Sequence, residues 1–77
     1  MKYCDGREVL IGDTVRLGTD RGVVVFLIDT GECVDGFPAA EWAYLARGIL
    51  VSFTMLGLVH IEESDRDILL LERAPPR

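Results

Sequence analysis

The side chains able to do chemistry in this chain are few and far apart. Cys4, Cys33 and His60 are the only thiols and imidazole in 77 residues. A structural zinc site takes four ligands, usually in closely spaced pairs, and three isolated positions do not supply one. Covalent catalysis needs a nucleophile beside a base, and nothing local sets either cysteine next to His60. That histidine alternates with Val59 and Ile61, so on a strand it faces away from them and reads as an exposed residue. Carboxylates are more plentiful. The stretch DTGECVDGFPAAEW, residues 29–42, holds Asp29, Glu32, Asp35 and Glu41 with no Lys or Arg. Read as a calcium loop from Asp29, it puts Gly31 at the third position, Val34 at the sixth and Ala40 at the twelfth, where an acid, a glycine and a glutamate are required. The template fails, and the loop reads as a solvated acidic surface. Gly18 and Gly22 flank Thr19-Asp20-Arg21 as a turn, not as a phosphate cradle. No catalytic residue, metal or cofactor is called for, and a domain this small has little room for a pocket of ~300 Å³ or more.

Charge placement narrows the partner. The formal net charge is −5. Residues 1–28 balance Lys2, Arg7, Arg16 and Arg21 against Asp5, Glu8, Asp13 and Asp20, whereas residues 29–67 set only Arg47 and Arg66 against eight acids. A negative field from the middle of the chain repels phosphate backbones and draws basic surfaces. Arg7, Arg16 and Arg21 could make a small basic patch, but acids match them in number, so nucleic acid is disfavoured.

The elements that must carry these residues are strands and turns. Glu8–Ile11 reads as a short strand, and Gly12-Asp13 connects it to the alternating Thr14–Leu17. Val23–Ile28 is a β-branched, apolar run fit for a barrel wall. Residues 29–47 have no strand pattern, but Pro38 followed by Ala, Glu and Leu suits a helical turn over residues 39–46. Ile49–Phe53, Leu58–Glu62 and Ile68–Leu71 complete the strands, with residues 54–57 as a hairpin connection. The prediction is one all-β domain over residues 1–73, a small SH3-like antiparallel barrel of five or six strands, followed by a frayed tail at 74–77. Closure protects edges that an open sheet would expose.

The run VLIGDTVRLGTDRGVVVFL, residues 9–27, resembles the opening of SH3-like small barrels, above all the KOW type of translation and transcription proteins. The matching positions are Gly12, Asp13, Val15, Leu17, Gly22 and Val24. That likeness implies a barrel and, as one role, an adaptor in a ribonucleoprotein or transcription complex. In size, acidity and single-domain make-up the chain is also similar to the small immunity proteins encoded beside bacterial polymorphic toxins, which implies an inhibitor.

A non-enzymatic protein-binding module is the expected function, in its most concrete form an acidic cap over the basic site of a partner such as a toxin nuclease. The 29–47 connection exceeds the length at which loops usually need a reason, and it carries Phe37, Trp42 and Tyr44. Trp42 and Leu45, three apart, would close a barrel end as core and leave Tyr44 on another face. Met55 and Leu56 put apolar side chains where a hairpin tip should be polar. The expected contact residues are therefore Asp29, Glu32, Asp35, Phe37, Glu41, Tyr44, Met55, Leu56, Glu62 and Glu63. A homodimer through the last strand or the 54–57 tip is the further alternative. The first six residues lack the apolar run of a secretory leader, no run nears the ~20 residues of a membrane helix, and two cysteines form no disulfide framework. These features point to the cytoplasm and free thiols, with a single Cys4–Cys33 disulfide as the minor alternative.

Overall fold

The apolar run at residues 23–28 forms most of the longest strand, β2 (Asp20–Leu27), in a computed structural model that describes residues 1–42 and 44–74. β2 pairs on one side with β1 (Thr14–Leu17) and on the other with β4 (Ile49–Phe53). Outside these lie β6 (Ile68–Glu72) on β1 and β5 (Gly57–Ile61) on β4, giving the order β5-β4-β2-β1-β6. Every pairing is antiparallel. A two-residue strand, β3 (Glu32–Cys33), adds to the far end of β2, and the one helix is the single turn α1 (Ala39–Trp42). The fold is thus all-β and barrel-like, six strands with one short helical piece, as the sequence led us to expect.

A bulge in β2 decides which side chains meet. Val24 pairs with Val51 while Phe26 pairs with Leu50, so Val25 is the extra residue. One inserted residue reverses the alternation and bends the strand. Val24 consequently joins the main core, with Val15, Leu27, Ile49, Val51, Phe53 and Ile68, whereas Phe26 and Leu50 are buried outside that cluster. At Gly22 an added Cβ would lie 2.7 Å from Phe53 Cδ1. The bare backbone there is what lets the Phe53 ring lie across β2.

Residues 1–13 close the core from one end. The strand expected at Glu8–Ile11 does not form; only an isolated bridge joins Lys2 to Glu8. The chain instead turns inward, and Tyr3 and Val9 enter the core. The competitor to strand pairing is Asp13, a fully buried carboxylate. Its Oδ2 accepts from the Tyr3 hydroxyl at 2.6 Å, from the Leu10 amide at 2.9 Å and from Arg73 Nη1 at 2.8 Å, while Oδ1 is buried without a partner. Side-chain acceptors that capture nearby amides divert the backbone from a ladder. Burial, and then the bond to Asp13, push the Tyr3 hydroxyl far above the ordinary phenol pKa. Cys4 is exposed, Cys33 half-buried, and both are free thiols. Among the described residues no helix is long and apolar enough to cross a membrane. Of the tail expected at 74–77, Ala74 is exposed and residues 75–77 lie outside the described part, as does Ala43 within the 39–46 segment.

Candidate functional site

Gly48 organises one end of the barrel. Its φ is +98°, and an added Cβ would sit 2.2 Å from the Ile61 carbonyl oxygen and 2.8 Å from Glu62 Cα. The close approach brings the end of β5 against the start of β4. Glu62 and Glu63 follow directly, and Arg47 Nη2 reaches them at 3.7 and 3.2 Å. From the other side Asp29 Oδ1 accepts the Gly48 amide at 3.4 Å. Glu8, Asp29 and Glu32 line a small cleft beside Gly48 and Ile49. Five carboxylates therefore surround Gly48: Glu8, Asp29, Glu32, Glu62 and Glu63. Their counter-charges are Arg47 and the Met1 ammonium, 3.8 Å from Glu8. These pairs are largely exposed, so each holds little energy, and the end of the molecule keeps its negative field.

Met55 and Leu56 lie at the opposite end, a five-residue β4 length away, or about 17 Å at the usual strand rise. The residue that fixes them is Asp20, which the sequence presents as a turn residue. Only 7% exposed, its carboxylate accepts from the Met55 amide at 3.1 Å and from the Leu56 amide at 2.9 Å. Thr54 adds its amide and hydroxyl to the Arg21 carbonyl. The backbone of the tip is held, while the side chains of Met55 and Leu56 stay 83% and 59% exposed.

The 29–47 insertion does not plug the barrel end. It lies over the outer side of β2 and β4, across the row that the bulge creates. The ladder aligns Cys33, Phe26, Leu50 and His60 across β3, β2, β4 and β5. Phe37 covers this row with its ring centroid 5.6 Å from that of Phe26. Three inter-strand steps separate Cys33 from His60, about 14 Å, beyond hydrogen-bond reach. The His60 Nε2–H instead donates to the Arg47 carbonyl at 2.8 Å, so this ring is half-buried and in use, not a free exposed residue. Trp42 and Leu45 are half-buried but outside the main core, and Trp42 stacks on Tyr44 at 6.4 Å. Tyr44 is 75% exposed.

The expected contact residues thus fall into three places. Asp29, Glu32, Glu62 and Glu63 meet around Gly48, Met55 and Leu56 form the far tip, and Asp35, Phe37, Glu41 and Tyr44 ride on the insertion. Glu8 joins the acidic end unforeseen; only its bridge to Lys2, invisible as a pattern, puts it there. Among the described residues no three His, Cys, Asp or Glu side chains are arranged to hold a metal ion. Compared with protein-family models, with curated proteins and with solved structures, the chain finds no match.

Proposed function

We propose that this chain is a non-enzymatic protein-binding module whose acidic end engages a cationic surface on its partner, in its most concrete form an inhibitor that covers the basic substrate site of an enzyme such as a toxin nuclease. The observation that carries the reading is the gathering of Glu8, Asp29, Glu32, Glu62 and Glu63 around Gly48, where the basic side chains are Arg47 and Lys2, the bridge partner of Glu8. The close approach at Gly48 and the Asp29 bond to its amide hold the backbone that carries several of these carboxylates. An enzyme that grips phosphate has a positive cleft, and an acidic surface fills it by complementarity that raises the association rate. The test is co-purification with the product of a neighbouring gene in a 1:1 complex, followed by stopped-flow association. Glu32→Lys, Glu62→Lys and Glu63→Lys together should slow association at least ~10-fold at low salt and far less at high salt. A rate indifferent to both the substitutions and the salt would dismiss the reading.

A second reading, self-association, is favoured by a separate observation. Leu69 and Leu71 are exposed on β6, a strand whose only partner among the described residues is β1. Light scattering distinguishes it: a concentration-dependent dimer, lost in Leu69→Asp, would support pairing through that edge.

A further inference from the structure

Six arginines lie among the described residues, and they divide evenly. Arg7 meets Asp5, Arg47 meets Glu62 and Glu63, and Arg73 meets Asp13. Arg16, Arg21 and Arg66 have no carboxylate oxygen of the described residues within 4.0 Å, in a chain where acids outnumber bases 13 to 8. Two of the three oppose each other directly, since Arg16 is the ladder partner of Arg21. Like charges at directly paired strand positions destabilise a sheet, and no carboxylate of the described residues pairs with either. Asp20, next to Arg21, cannot do so, because its buried carboxylate is taken by the tip amides.

The third arginine comes from a different element. Arg66 sits in the turn before β6, where Asp65 Oδ1 accepts the Asp67 amide at 2.9 Å and the Asp65 carbonyl accepts the Ile68 amide at 3.0 Å. This turn and the β1–β2 connection form the walls of a cleft of about 390 Å³, lined by Arg16, Leu17, Gly18, Arg66, Asp67 and Leu69. We propose that this cleft is a binding site for a phosphate monoester. Planar guanidinium forks suit an oxyanion, and a monoester near neutral pH carries −1.5 to −2 charges, roughly, to set against them. Leu17 and Leu69 offer apolar wall to the organic part, and the cleft, open to solvent, is larger than the size of the domain led us to expect. The net charge of −5 does not forbid an anion there. Glu63 lies three residues before Arg66, at most ~11 Å along the chain, and Asp67 lines the cleft itself, so Arg16 and Arg66 together must outweigh these acids to hold the anion.

The inference is independent of the acidic end and is tested separately. Isotope-labelled protein is titrated with O-phosphoserine, inorganic phosphate and chloride at matched ionic strength, following amide shifts. O-phosphoserine should give saturable shifts at Leu17, Gly18, Asp67 and Leu69, inorganic phosphate the same shifts more weakly, and chloride none. Arg16→Gln and Arg66→Gln should each weaken O-phosphoserine about tenfold or more, the usual scale for losing a charged hydrogen bond. Arg16→Lys, which keeps the charge but loses the fork, guards against a folding defect and should weaken it too. Without ligand, Arg16→Gln should melt no lower than the parent, because the opposed charges are gone. Binding unchanged in Arg16→Gln, shifts that never saturate, or tighter binding of a phosphodiester oligonucleotide at the same residues would each overturn the assignment.

Discussion

Asp13 concentrates three donors on one oxygen of a fully buried carboxylate. Removing a buried charge while its partners remain leaves the Tyr3 hydroxyl and the Arg73 guanidinium uncompensated, at ~3–5 kcal/mol. Asp13→Ala should lower the urea unfolding free energy by about that amount, a large fraction of what so small a domain holds. Tyr3 gives the pH signature. Its folded pKa is raised, mainly by burial, while the unfolded chain releases the same proton near pH ~10. Above that pH the unfolded state binds fewer protons than the folded one, so stability falls as pH rises. Tyr3→Phe has no proton to lose. Its melting temperature should drop less between pH 9 and 11 than that of the parent, and equal drops would reject the account. None of this is visible in the residue order, because Tyr3, Asp13 and Arg73 are brought together only by the fold.

At the scale of elements, two connections do unequal work. The β4–β5 turn is held by Asp20, so Asp20→Ala should cost roughly 2 kcal/mol, the worth of hydrogen bonds to a charged acceptor. It should also speed amide exchange at Met55 and Leu56 before it affects β2. Gly48→Ala meets a positive φ and a backbone oxygen at 2.2 Å together. We expect it to cost at least ~2 kcal/mol in thermal or urea unfolding. Periodicity made the strands legible: Thr14–Leu17, Ile49–Phe53 and Ile68–Leu71 were readable from apolar pattern and turn residues alone. Glu8–Ile11 misled, because its apolar residues serve an inward turn around Asp13 and not a ladder. β3 was too short to carry any pattern. The reach of the insertion over β2 and β4 depends on the bulge at Val25, which no local sequence feature announces.

Over the whole molecule, charge is sorted as the sum of −5 does not reveal. The carboxylates around Gly48 occupy one end, the ladder partners Arg16 and Arg21 lie at the other, and Arg66 sits in the turn between Glu63 and β6. The first group was half-legible, since four of its five members fall in the acidic middle of the chain. The second was hidden by sequence neighbours such as Asp20 that turn out to be spent on backbone amides. Crowded carboxylates repel, so Glu32→Gln should raise the melting temperature at low salt, and the gain should fade as salt shortens the screening length. Equal gains at both salts would argue against the mutual repulsion. Finally, Arg73 donates to both Asp13 and Glu8, across 60 and 65 positions, while β6 completes the ladder on β1. A polypeptide interrupted before position 68 would have a buried acid with no cation and an inner strand laid bare. The clasp thereby makes the two segments interdependent, since neither can hold the buried acid without the other.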